Sequence, residues 1–258
     1  MQSMEFVNKT VLITGGATGI GFGFAQNLAK MGNRVIITGR RIDMLKAAQD
    51  KIPDLIFFAC DVSDPEEIDE LFAQLKKAGI NLDVIFNNAG VLELWDIRTQ
   101  PIASTDIFTK INTNLAGPIA LTQHFIRQAD QKRENYIINI STEAAIMPIP
   151  IMPLYSSSKS GLNAFTKSLR IQLMDTRFHV IEVVPPATES KMTTVDMKNT
   201  TKLANPVVFT LEVIKKIESG KQYYAPSTNA KLLTFIRRAF PEYGLKLIDK
   251  LSRKQVLN

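Results

Sequence analysis

A single cysteine, Cys60, and two histidines, His124 and His179, are all the thiols and imidazoles in 258 residues. No disulfide can form within the chain, which fits a reducing cytoplasm. So few thiols and imidazoles cannot assemble a zinc cluster, and no metal is expected. Cys60 ends an apolar run and reads as a core residue. His124 lies in a helical stretch and His179 opens an apolar strand, so both read as structural. Long apolar runs are missing too. The stretch from Ala144 to Leu154 is broken by Pro148, Pro150 and Pro153, far short of the roughly 20 residues that cross a bilayer. The opening MQSMEFVNKT lacks the basic and apolar regions of a secretory signal. Net charge is +6, but it is unevenly placed. From Thr228 onward Lys231, Arg237, Arg238, Lys246, Lys250, Arg253 and Lys254 outnumber Glu242 and Asp249. The excess of positive charge therefore describes a tail, and no nucleic-acid-binding face is expected on the rest.

What is present is ample apolar material, 45% of the residues, enough for the core of one α/β domain. Apolar β-branched runs alternate with helical patterns, which predicts a parallel sheet covered on both faces. Strands are expected at Thr10–Thr14, Arg34–Thr38, Leu55–Cys60, Leu82–Phe86, Tyr136–Ile140 and Val180–Val184, with a short seventh at Gln222–Ala225. Asp64-Pro65-Glu66-Glu67 reads as a helix start, with an Asp cap, Pro at the first position and Glu at the third. Asn205-Pro206 repeats the cap and the proline. Asp106 to about Asp130 reads as one long helix bent at Gly117-Pro118, and Pro153 to about Met174 as another. Residues 1–227 are expected to form one dinucleotide-binding and catalytic domain, with 228–258 as a basic amphipathic tail. The stretch from Pro185 to Asn205 has no clear period and reads as a substrate loop.

Two patterns carry chemistry. Thr14-Gly15-Gly16-Ala17-Thr18-Gly19-Ile20-Gly21 follows the run Val11-Leu12-Ile13 and opens a helix that extends to about Met31. Glycines let the backbone turn tightly and approach a ligand closely, and the helix N-terminus offers N–H groups and a positive dipole end to a pyrophosphate. Tyr155 and Lys159 stand four apart on the second helix, so they share a face. A cation beside a phenol lowers its pKa from about 10, which suits proton transfer near neutral pH. Either pattern alone is common; a glycine loop can be inert and a Tyr/Lys pair can be a solvated surface pair.

Together, in this order and spacing, they resemble the short-chain dehydrogenase/reductase family over roughly Lys9 to Tyr224. The turn is similar to the family's TGxxxGxG, Asn87-Asn88-Ala89-Gly90 to its NNAG, Asn114 to its helix asparagine, and Tyr155 with Lys159 to its YxxxK. Pro185 and Ser190 match the proline and hydroxyl of its PGxxxT loop, and Asp61-Val62 stands where the family contacts adenine. Thr142 occupies the position of the catalytic serine. It keeps the hydroxyl but adds a methyl that restricts its side chain. Ser141 beside it, on a strand, is expected to point to the opposite face. Pro185-Pro186 replaces proline-glycine. That pair and the Thr38-Gly39-Arg40 after the second strand are similar to a branch of the family encoded in bacterial lipoteichoic-acid D-alanylation operons.

The resemblance implies a Rossmann-type, doubly wound parallel sheet of about seven strands with helices on both faces. It implies hydride transfer between a nicotinamide and a small carbonyl or alcohol substrate, and assembly as a homodimer or homotetramer. Asn114, Thr142, Tyr155 and Lys159 would be the catalytic set: Tyr155 as acid/base, Lys159 on the nicotinamide ribose, Thr142 on the carbonyl oxygen, and Asn114 holding a water that feeds protons to Lys159. Gly15, Gly16, Thr18, Gly19, Ile20, Gly21, Arg40, Asp61, Val62, Asn88, Ala89, Gly90, Tyr155, Lys159, Pro185 and Ser190 would contact the cofactor. No acidic residue stands near Gly39 to take a ribose 2′-OH, and Arg40 can pair with a 2′-phosphate, so NADP(H) is expected over NAD(H). The apolar segment from Ile146 to Leu154 suggests an apolar substrate. Two rival readings share the fold: a non-catalytic NADP(H) sensor, and a protein held at a membrane surface by its tail.

Overall fold

The computed structural model describes residues 5–189 and 203–256. Seven parallel strands form one sheet in the order β3-β2-β1-β4-β5-β6-β7. They are β1 Thr10–Thr14, β2 Arg34–Gly39, β3 Ile56–Ala59, β4 Val84–Asn87, β5 Asn135–Ile140, β6 Phe178–Val183 and β7 Tyr223–Tyr224. The helices are α1 Gly19–Lys30, α2 Ile42–Lys51, α3 Pro65–Lys77, α4 Ser104–Ile111, α5 Gly117–Gln128, α6 Glu143–Ile146, α7 Pro153–Gln172, α8 Pro206–Glu218, α9 Thr228–Ala239 and α10 Pro241–Val256.

The period-2 alternation of the strands sorts their side chains into two cores. Val11 and Ile13 of β1, Val35 and Ile37 of β2, and Val84 and Phe86 of β4 pack with α1, α2 and α8 through Phe24, Leu28, Leu45, Val213 and Ile214. Leu12, Ile36, Ile85 and Ile137 turn the other way, onto Leu71 and Phe72 of α3 and Phe125 of α5. All of these strand residues are buried, which is why the strands read as continuous apolar runs. Strand order reverses between β1 and β4, and the chain leaves both strands toward the same edge; ligands bind at such a crevice in open α/β sheets.

Both helix caps expected from the sequence form: Asp64 accepts from the Glu66 N–H, and Asn205 accepts from Val207 and Val208. The long helix forms as well, running unbroken from Ser104 to Gln128 with its irregularity just before Gly117-Pro118. Between α4 and α5 the chain makes a π-turn over Asn112–Ala116, in which Gly117 N–H donates to the Asn112 carbonyl. A Cβ on Gly117 would lie 2.1 Å from the Val62 carbonyl oxygen, so the start of α5 lies hard against the β3–α3 connection. Pro118 also offers no N–H to the Asn114 carbonyl four residues back. The extra residue of a π-turn reorients side chains, often at functional sites.

The tail divides into two helices at Pro241, and Gly244 lies inside α10. A Cβ there would meet Ile236 Cγ2 at 2.4 Å and Met147 Cε at 2.6 Å. Gly244 thus marks a close approach of α10 to α9 and to the chain after α6 rather than a helix break.

Candidate active site

A cleft of about 490 Å³ opens along the C-terminal ends of β1, β2, β4 and β5. Its walls run from Arg40, Arg41 and Met44 at one end to Ser141, Tyr155, Lys159 and Pro185 at the other.

The glycine turn forms the floor. Gly15 and Gly19 take left-handed φ values of +63° and +55°, which favour glycine. The Gly15 and Gly16 N–H groups donate to the Thr38 carbonyl at 2.8 and 3.3 Å, tying the turn to the end of β2. Gly15, Thr18, Gly19 and Ile20 line the cleft, whereas Gly16 and Gly21 serve packing. A Cβ on Gly16 would sit 2.5 Å from Ile37 Cγ2, and one on Gly21 2.3 Å from the Gly15 carbonyl oxygen. Thr18 makes no side-chain cap on α1, so the helix N-terminus presents its N–H groups at the cleft.

The Asn88-Ala89-Gly90 segment lines the opposite wall and braces the turn. Asn88 Nδ2 donates to the Thr14 and Gly15 carbonyls, while Thr14 Oγ1 accepts from the Asn88 and Ala89 N–H groups, both at 3.0 Å. Thr14 is a functional residue that pattern reading passed over, although it heads the glycine motif. At the far end, Asp61 and Val62 line the cleft, and an Arg40 guanidinium nitrogen lies 3.6 Å from Asp61 Oδ2 with the arginine largely exposed. Ser190 lies outside the described residues.

The end of the cleft that holds Tyr155 and Lys159 is built from buried side chains. Lys159 is 3% exposed, and its Nζ donates to the Ile140 carbonyl at 2.9 Å. Burial pulls the ammonium down to about 8. Tyr155, partly exposed to the cleft, is hydrogen-bonded with Thr142; desolvation pushes the phenol up and that bond pulls it down. The lowering of Tyr155 by Lys159 expected from the sequence does not set its shift: burial raises the cost of the phenolate, and the lowering comes from Thr142. Asn114 is buried, with its side chain committed: Oδ1 accepts from the Val91 N–H, and Nδ2 donates to the Val91 carbonyl and to Ser158 Oγ. Any water role of this residue falls to its backbone carbonyl. A Cβ on Gly90 would lie 3.2 Å from Asn114 Oδ1 and 3.6 Å from Lys159 Nζ, so the glycine leaves room where the loop meets the catalytic pair.

Thr142 Oγ1 also accepts from the Ala144 N–H as the cap of α6. Ser141 does not turn away to a remote face. It lines the same cleft as Tyr155, and its buried Oγ has no hydrogen-bond partner. β5 ends at Ile140, so strand alternation no longer governs the two hydroxyls beyond it.

These features fit a nicotinamide dinucleotide: a close-packed glycine turn at a helix N-terminus, a long cleft across the sheet's reversal point, and an orphaned hydroxyl at its catalytic end. Among the described residues no group of three or more His, Cys, Asp or Glu side chains could hold a metal ion.

Comparison with known proteins agrees. The family described as short chain dehydrogenase matches residues 9–201, and the chain belongs to this family of oxidoreductases. It is 34% identical over 190 residues to the uncharacterized oxidoreductase DltE of Bacillus subtilis, covering 72% of this chain and 74% of that protein. It is 30% identical over 176 residues to the NADP-dependent 3-hydroxy acid dehydrogenase YdfG of Escherichia coli K12, covering 68% and 71%. A short chain dehydrogenase from Burkholderia cenocepacia, solved in complex with NADP, superposes with a TM-score of 0.78. It is 20% identical and covers 93% of this chain and 97% of that one.

Proposed function

We propose that this chain is an NADPH-dependent carbonyl reductase acting on a small, apolar substrate in the cytoplasm, with Tyr155 as the proton donor. The observation that carries the reading is the meeting of Tyr155 and Lys159 at one end of a cleft whose floor is the glycine turn and whose far end holds Arg40, with Thr142 hydrogen-bonded to Tyr155. The NADP dependence named for the Escherichia coli relative and the NADP bound in the Burkholderia structure support the cofactor. Arg40 and the α1 N-terminus would take the phosphates, Asp61 and Val62 the adenine, and Lys159 the nicotinamide ribose.

When bound, NADPH supplies a hydride to the carbonyl carbon. Tyr155 gives its phenolic proton to the carbonyl oxygen as the C–O π bond breaks, so the product is the alcohol. The Thr142 hydroxyl donates a hydrogen bond to the same oxygen and stabilises charge gathering there. Lys159, charged below about pH 8, steadies the transient phenolate and passes a proton back to it. Burial keeps Tyr155 protonated at neutral pH, the form reduction requires, which favours that direction over alcohol oxidation. Exposed Phe108 on α4 and Ile171 on α7 are in keeping with a homodimer or homotetramer formed through the long helices after β4 and β5.

A panel of apolar ketones and aldehydes assayed with NADPH tests the reading. Tyr155→Phe keeps the ring and removes the proton. Turnover is expected to fall on the order of 10²-fold or more, with NADPH affinity retained. Binding of NADPH without turnover of any carbonyl by the wild type would instead make the chain a sensor.

A further inference from the structure

The tail is half covered. Ala230 is buried and Leu233 is partly buried against Ile146, Val184 and Ala225, and Arg237 Nη1 donates to the Ile146 carbonyl at 3.0 Å. The inner stripe of α9 thus packs on α6, the short helix that Thr142 caps. The opposite stripe has no such cover. Leu232, Phe235, Phe240, Tyr243, Leu245 and Leu247 are six of the fifteen large apolar side chains exposed among the described residues, with Phe235 at 63% and Tyr243 at 69%. They fall within sixteen consecutive positions, so this is a patch and not the scatter normal for a soluble surface. Lys231, Arg238, Lys246 and Lys250 lie among them with Glu242, all exposed, so basic charge is in excess on the patch.

We propose that this outer face of α9 and α10 docks on an anionic lipid bilayer, with the rings and leucines entering the interface and the lysines and arginine at the headgroups. On α9 Leu232 and Phe235 lie opposite the buried stripe, and on α10 Tyr243 and Leu247 share a face; apolar residues so placed and bordered by Lys and Arg are the composition of an interfacial helix. Charge chooses the bilayer over a second copy of the chain. A twofold contact would set the same basic face against itself, whereas an anionic surface neutralises it. Because the inner face grips the segment following Thr142, docking holds the substrate end of the cleft beside the lipid, which suits an amphiphilic substrate. The docking surface itself does not rest on the reductase reading, since it is measured without turnover.

The full chain is sedimented with phosphatidylglycerol–phosphatidylcholine vesicles and with pure phosphatidylcholine vesicles, at low and high salt. Binding is expected only to the anionic vesicles and is expected to weaken at high salt. The triple variant Lys231→Glu, Arg238→Glu, Lys246→Glu should bind at least roughly a hundredfold more weakly. The double variant Leu232→Ser, Phe235→Ser should bind at least about tenfold more weakly. Unchanged NADPH binding by both variants checks their folding. Absence of the wild type from the anionic pellet, or charge-reversed protein that binds as well as wild type, overturns the proposal. So does a fall in molar mass of the double variant by light scattering without any vesicle binding by the wild type, which assigns the patch to a second copy.

Discussion

The two ends of the cleft are made of different material. At the nucleotide end the working groups are backbone: the Gly15–Gly21 turn, the N-terminus of α1, and glycines whose missing side chains let chains touch. Arg40 is the main charged side chain there, and it is exposed. At the hydride end the working groups are side chains taken out of water: Lys159, Asn114 and Ser141 are each at most 3% exposed. Backbone N–H groups keep their donor character at any pH and need only exact placement. Buried side chains carry pKa values that their surroundings move. The nucleotide end should therefore be sensitive to added volume and insensitive to pH, and the hydride end should behave the other way.

The sharpest way to break this contrast is Gly21→Ala. The new methyl would lie 2.3 Å from the Gly15 carbonyl oxygen and 2.6 Å from Asn88 Nδ2, so backbone must move. Overpacking of this kind costs about 1–3 kcal/mol, and melting should fall by roughly 2–4 °C for each kcal/mol in a chain of this size. Displacing the Gly15 end of the turn, which lines the cleft, should weaken NADPH on the order of a hundredfold. Calorimetric titration and a melting curve check both. A variant that binds and melts like wild type would show that the turn is looser than its contacts imply.

Much of this arrangement is legible in the sequence, and the parts that are not share a cause. Parallel strands buried on both faces announce themselves as β-branched runs, so β1 falls where expected and the other strands within about two residues. The asparagine, tyrosine and lysine come together because strand order and helix period place them. The π-turn at Asn112–Ala116 has no such signature. Its visible cause is the contact of Gly117 with Val62, two residues distant in sequence by more than fifty positions. Ser141 was expected to face away because alternation was carried one residue past the end of β5. In the tail, the apolar spacing is plain, but which stripe is buried depends on where α6 lies.

Arg40→Ala tests the charged side chain proposed to take the 2′-phosphate at the nucleotide end. Loss of a charge-assisted contact to a 2′-phosphate is worth about 1.5–3 kcal/mol. The preference for NADPH over NADH should therefore shrink by roughly ten- to hundredfold, with NADH affinity little changed. Titration of wild type and variant with both cofactors measures this. Arg40 stands 3.6 Å from Asp61, so a variant that keeps its preference would move phosphate recognition to Arg41, which lines the same end of the cleft.

The smallest effect separates the ends by pH. Lys159 is pulled down to about 8 from its usual 10.5 by burial. A lysine is charged below its pKa, so the ammonium is present at pH 7 and lost as pH rises through about 8. With it, in the proposed mechanism, go the proton that restores Tyr155 and the cation that steadies the phenolate. Tyr155 itself is pushed upward by burial, so it remains a phenol across this window and does not set the break. Carbonyl reduction should hold steady from about pH 6.5 to 7.5 and fall above 8, approaching tenfold per unit as the charged fraction declines. NADPH affinity, held largely by backbone donors, should change far less over the same range. Steady-state rates and cofactor titrations at matched pH values give the two curves. A rate that stays level to pH 9.5 would remove Lys159 from the proton path, and an affinity that falls in step with the rate would place its charge on cofactor binding instead.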